Sequence, residues 1–91
     1  MPSSVPRVLV GYDGSDDGRA AIEFAVGEAL LRDADLHLVY AVDDTMLSSS
    51  WGIMVKLDEV RSIGDELVVE GRDVAVGFGF DPDRIQTEVL V

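Results

Sequence analysis

The chain contains no cysteine. Disulfide frameworks, thiolate zinc sites and cysteine nucleophiles are therefore excluded, and a reducing cytoplasm is a compatible and expected location. Cations are scarce, with seven Lys and Arg against eighteen Asp and Glu and a net charge of −11. A nucleic-acid backbone is held by clustered cations, so nucleic acid is not an expected partner. The same field opposes any phosphate at long range, leaving local backbone N–H groups and a helix N-terminus to hold one. The one histidine, His37, has no Cys, Ser or second His arranged around it and is read as a structural residue of a strand. No apolar run approaches the ~18–20 residues of a membrane span, and the first six residues have neither the basic nor the apolar region of a signal peptide, so no membrane association is expected.

What is present is a modest supply of core: 91 residues, 47% of them hydrophobic, enough for one domain or part of one. The most informative stretch is residues 8–18, Val-Leu-Val-Gly-Tyr-Asp-Gly-Ser-Asp-Asp-Gly. Val8, Leu9 and Val10 form a continuously apolar run, which suits a strand buried on both faces of a parallel sheet. Gly11 and Gly14 remove Cβ atoms where the backbone must turn sharply or approach a ligand. Ser15, Asp16 and Asp17 supply N-cap candidates and first-turn negative charge for a helix over residues 17–32. Asp13 lies between the glycines at the carboxyl end of the strand, where open α/β sheets collect ligands.

Along the first helix, Ala21, Phe24, Ala25, Glu28 and Leu31 fall at three-to-four spacing, with Ala20 beside them, and predict the face packed on the sheet; Gly27 reads as a close-packing position. After the polar break at residues 33–35, residues 36–42 read as a second strand, giving a βαβ unit whose crossover is right-handed. Residues 43–52, with three consecutive serines and the one Trp, have no period and read as a loop. The acids Asp43 and Asp44 in it read as solvated loop residues, although a carboxylate pair can hold magnesium through water. Trp51 beside Met54 suits either a partner contact or a hydrophobic staple.

From about residue 55 a second amphipathic helix places Val60, Ile63, Leu67, Gly71, Val74, Ala75 and Phe78 on its core face and fades at residues 77–79. Asp81-Pro82-Asp83 is a turn. The last run alternates Ile85, Thr87, Val89 and Val91 against Gln86, Glu88 and Leu90, and its partly polar face suits an edge strand. The order is therefore β-α-β-α-β, with the third strand at an edge and a sheet order 3-2-1. That order leaves the apolar first strand at the other side, where natural folds cover an edge. Residues 1–91 are accordingly expected to be a single, incomplete domain of a larger doubly wound sheet, its later strands absent or supplied by another chain.

The run Arg-Val-Leu-Val-Gly-Tyr-Asp-Gly-Ser, followed by Ala20-Ala21 and Ala25 and then Leu36-His37-Leu38-Val39-Tyr40-Ala41-Val42, resembles the N-terminal part of a universal stress protein domain, over essentially the whole chain. The resemblance implies an open parallel, Rossmann-like sheet of the adenine nucleotide alpha hydrolase type, dimerisation, and in many members ATP binding without a well-defined reaction. By position, it places Gly11, Tyr12 and Asp13, with Gly14 and Ser15 completing the turn, where backbone and the acidic side chain approach ribose and adenine. Ala41 falls where backbone recognises the adenine edge, with Val39 and Val42 as apolar lining. The family's glycine-rich phosphate loop, which follows its fourth strand, has no counterpart here. Gly77-Phe78-Gly79 is no substitute, because it closes a helix whereas a phosphate loop must open one. The visible residues thus specify the adenosine side, and ATP, with or without magnesium, is an expectation that this stretch alone does not complete.

Three readings follow. The first is a stress or signalling module that binds an adenine nucleotide without strong catalysis. The second is a ligand-free dimerisation scaffold of the same fold. The third, ranked below both, is a receiver-like phosphoacceptor, which needs an acidic pair after the first strand and an Asp ending the third; this chain offers Asp13 alone and ends in Val91. A hydrolase triad lacks a base near any serine.

Overall fold

The structure, a computed structural model, describes residues 5–41 and 57–90. Strand β1 (Arg7–Gly11), helix α1 (Asp16–Arg32), strand β2 (Asp35–Ala41), helix α2 (Leu57–Gly77) and strand β3 (Ile85–Leu90) follow in that order, with a short 3-10 turn at Pro82–Arg84. All pairings are parallel and β2 is central, in the register Val10↔Leu38↔Thr87. The expected order, 3-2-1, is the observed one. Val42, the Asp43–Asp44 pair, the serines 48–50, Trp51, Met54 and Val91 lie outside the described residues, as does the side chain of Val60.

Both crossovers run in the same direction across the sheet, so right-handedness puts both helices on one face, where they touch each other. That face presents Val8, Val10 and Tyr12 of the first strand with its extension, Leu36, Leu38 and Tyr40 of the second, and Ile85 and Val89 of the third. Ile22, Leu36 and Leu38 are fully buried at its centre, each contributing about 1.5–3 kcal/mol of apolar burial. The opposite face carries no helix among the described residues. Leu9 there is 69% exposed, so β1 is not buried on both faces as its apolar run predicts. Across this face His37 lies 3.3 Å from Arg7 and 3.0 Å from Glu88, a satisfied structural position.

Helix α1 starts at an N-cap, Ser15, whose hydroxyl accepts from the Gly18 N–H at 3.0 Å. It ends with Asp33 in the left-handed region, φ 52°, and the Ala34 N–H reaching back to the Ala29 carbonyl at 2.8 Å. Helix α2 closes in the same way: Gly79 takes φ +98°, and Phe80, itself buried, donates to Ala75 at 3.1 Å. Past that cap, Arg84 bonds Asp33 at 2.7 Å and Asp35 at 2.8 Å, tying the start of β3 to the α1–β2 connection. These contacts hold the Arg84 guanidinium above its ordinary pKa.

The structure corrects the phase of α1. Its buried residues are Gly18, Ile22, Ala25, Val26 and Ala29, whereas Phe24 and Leu31 are 70% and 86% exposed. Ala21 is exposed and Glu28 half-buried. Apolar residues lie on every side of this helix, so spacing alone selects no single face. In α2, Leu67, Gly71, Val74 and Ala75 face the sheet as expected, but Ile63 and Phe78 are exposed and Gly64 and Val68 take buried positions instead. Gly64 brings the helix onto the sheet: a Cβ there would lie 2.7 Å from Val89 and 2.8 Å from Tyr40. Gly27, read as a close-packing position, faces open space, and a Cβ there would meet nothing within 4 Å.

The two glycines therefore predict opposite signs in chemical denaturation. Gly64→Ala is expected to destabilise by about 1–3 kcal/mol through overpacking against a β-branched and an aromatic side chain. Gly27→Ala is expected to stabilise by up to about 1 kcal/mol through helix propensity. Equal effects at the two positions would contradict the packing described.

Candidate functional site

A cleft of about 400 Å³ opens at the carboxyl ends of β1 and β2. Its walls are Gly11, Tyr12, Asp13 and Ser15 from β1 and the turn, Asp17 and Gly18 from the first turn of α1, and Val39, Tyr40 and Ala41 from β2. Grooves of similar volume lie between the helices, along Arg19, Glu70 and Phe78, and beside β1, along Val8 and Phe24. Only the first sits where parallel α/β sheets place ligands.

The turn is built by hydrogen bonds within itself. Asp13 Oδ1 accepts from the Ser15 amide at 2.9 Å and from the Ser15 hydroxyl at 2.5 Å, and that hydroxyl accepts in turn from Gly18 N–H. The two Ser15 donors, the hydroxyl first, hold the Asp13 carboxyl below its ordinary pKa. Among the described residues only Oδ1 of Asp13 takes hydrogen bonds, and the residue is exposed and lines the cleft, which leaves its second oxygen available to accept. Gly14 supplies the conformation that closes the loop, φ +87°.

Of the residues singled out in the sequence, Gly11, Tyr12, Asp13, Ser15, Val39 and Ala41 come together in the cleft wall. Gly14 does not: it turns toward α2, where a Cβ would lie 3.0 Å from Leu67. Val42 is outside the described residues. Tyr12 enters in a different way from that expected. Its amide donates to the Val39 carbonyl at 3.0 Å and its ring is only 3% exposed, turned into the core. There the phenol donates to Glu70 at 3.0 Å, and burial, with that bond second, raises its pKa. Asp17, Gly18 and Tyr40 were missed. Gly18 carried a signal, because a glycine three residues after an N-cap offers helix propensity nothing and must serve a close approach.

Among the described residues the wall contains two carboxylates, Asp13 and Asp17, and no Lys, Arg or His. Among the described residues no group of three or more His, Cys, Asp or Glu could hold a metal ion. No described helix is long and apolar enough to cross a membrane. The arrangement can accept hydrogen bonds from hydroxyls at Asp13 and presents the exposed strand end at Ala41, while its described residues offer no cation to an anion.

The sequence pattern of the universal stress protein family matches residues 5–73. No curated protein matches the chain. Among solved structures, a universal stress protein in complex with cAMP is similar at 24% identity and a TM-score of 0.63, covering 98% of this chain and 56% of its own. A protein of the family from Burkholderia pseudomallei is similar at 23% identity and a TM-score of 0.66, covering 99% and 65%. One from Archaeoglobus fulgidus is similar at 18% identity and a TM-score of 0.63, covering 97% and 57%. The chain thus spans between 56% and 65% of the length of these structures, which share its fold.

The turn predicts a pH signature of definite sign. With its folded pKa below the unfolded one, Asp13 contributes stability that is fully present above the ordinary Asp range and lost as pH falls through the folded value. The stability difference between the wild type and Asp13→Asn is therefore expected to be constant near neutrality and to shrink as the pH is lowered through the acid range, with the Asp13 carboxyl signal in NMR titrating below the ordinary Asp range. A difference that grows on acidification would contradict the hydrogen-bonded turn.

Proposed function

The chain belongs to the universal stress protein family, and from that membership and the geometry of the cleft we propose that it binds the nucleoside half of an adenine nucleotide, as a stress or signalling module without strong catalysis. The observation that carries this reading is Asp13: a carboxylate fixed by Ser15 at the end of β1, beside the glycine at position 11 and opposite the strand-end backbone of Val39 to Ala41. A pair of vicinal ribose hydroxyls needs a rigid acceptor, and an adenine edge needs exposed backbone beside apolar lining; both are present on two walls of one cleft. The cleft volume, about 400 Å³, is within the range of ~300–1,000 Å³ that small-molecule sites occupy. A structural neighbour in complex with cAMP adds support from the adenine side.

The phosphates of ATP do not fit these residues equally well. Among the described residues Asp13 and Asp17 line the cleft without a cation, Asp16 and Asp17 occupy the first turn of α1, and the Gly18 N–H is already taken by Ser15. A triphosphate, and magnesium with it, would have to be held by other residues, such as those of a glycine-rich loop. Dimerisation and a cytoplasmic location remain part of the proposal by family resemblance. Among the described residues that line the cleft no nucleophile and base pair is formed, and the proposed role is binding rather than catalysis.

Isothermal titration with AMP, cAMP and ATP tests the reading. The wild type is expected to bind AMP, and Asp13→Asn, which keeps an oxygen to accept from Ser15 but loses the charge, is expected to bind about tenfold more weakly or worse. Failure of the wild type to bind any of the three would favour the ligand-free scaffold.

A further inference from the structure

Tyr12, the residue after Gly11 of the cleft wall, packs against both helices. Tyr12 continues the covered face of β1 past Val8 and Val10, and its ring is wedged between two positions that have no Cβ. A Cβ on Gly18 of α1 would lie 3.0 Å from one edge of the ring, and a Cβ on Gly71 of α2 would lie 3.1 Å from the other. The same absent Cβ at Gly18 would also lie 3.1 Å from Asp13 Oδ1 and 3.4 Å from Ser15 Oγ. The ring, the Gly18 backbone and the Asp13–Ser15 turn are thus one contiguous stack. A shift of the ring toward α1 would press Gly18 into the oxygens that form the turn. Against such a shift the ring has a directional restraint in the bond from its hydroxyl to Glu70 Oε1 at 3.0 Å, with the Arg19 side chain of α1 near the same hydroxyl.

We propose that Tyr12 is the positioning residue of the cleft: anchored by Glu70 of α2, it holds Gly18 and the Asp13–Ser15 turn in the geometry that presents the Asp13 carboxylate to a ligand. This rests on the nucleotide reading for the identity of the ligand, but the positioning itself is a property of the unliganded chain. It assigns a binding consequence to Glu70, which is not itself among the residues of the cleft wall.

The test uses the whole chain and four forms of it: wild type, Tyr12→Phe, Glu70→Ala and Glu70→Gln. Amide hydrogen exchange at Ser15 and Gly18 reads the turn, and titration with AMP reads the site. Tyr12→Phe and Glu70→Ala are expected to raise exchange at these two amides several-fold relative to the rest of α1 and to weaken AMP by a similar factor. Glu70→Gln, which retains an accepting oxygen, is expected to restore both. A merely structural role would instead raise exchange throughout the core and lower the melting temperature without singling out the turn. The proposal is overturned if Tyr12→Phe leaves the turn at its wild-type exchange rate, if loosening is uniform, or if Glu70→Gln behaves like Glu70→Ala. Should the wild type fail to bind AMP while Tyr12→Phe still loosens the turn selectively, the nucleotide reading falls and the positioning role stands.

Discussion

The placement of a single aromatic ring decides how this fold and its cleft fit together. Tyr12 lies where β1 ends and the turn begins, is almost wholly buried, and separates the two helices that share one face of the sheet. A ring can occupy that position only because Gly18 and Gly71 present bare backbone to its two edges; any side chain at either would displace it or the helix. Its amide is tied to Val39 across the sheet and its hydroxyl to Glu70 on α2. Three elements are thereby fixed relative to the end of a fourth. Gly64, two helical turns before Gly71, lets the same helix close on Tyr40 and Val89, so that α2 is seated through glycines rather than through interdigitated large side chains.

Strand alternation then gives the site its character. With Tyr12 committed to the core, Gly11 alternates to the face that carries no described helix, and the exposed Asp13 lines the cleft while its Oδ1 closes the turn through Ser15. At the opposite end of the sheet Arg84 bridges Asp33 and Asp35, whereas none of the described residues lining the cleft is a cation. In a chain of net charge −11 this distribution favours a ligand group that donates hydrogen bonds, such as a sugar hydroxyl, over one that carries negative charge.

Much of this was legible in the sequence because it is local. The glycines and Ser15 announce a strand, a turn and a helix start through backbone conformation and capping, and the polar face of residues 86 and 88 marks an edge strand. The direction of Tyr12 was also legible, since it shares the parity of Val8 and Val10, whereas the family resemblance places it toward ribose and adenine. What was not legible is non-local. Helix α1 has apolar residues all round, so nothing in its own spacing separates Ile22 and Val26, which are buried, from Phe24 and Leu31, which are exposed. Gly27 and Gly64 look alike in sequence, yet one faces open space and the other faces two side chains of the sheet. Only the register of helix on sheet distinguishes them.

The most direct measurement is a crystal structure of the protein with AMP. The account predicts the ribose hydroxyls within hydrogen-bond distance of the Asp13 carboxylate, the base against the strand-end backbone of Val39 to Ala41, the phosphate pointing away from Asp17, and the Tyr12 ring still between Gly18 and Gly71. A nucleotide seated in the groove between the two helices, or one in the cleft with its phosphate against Asp13 and Asp17, would contradict it.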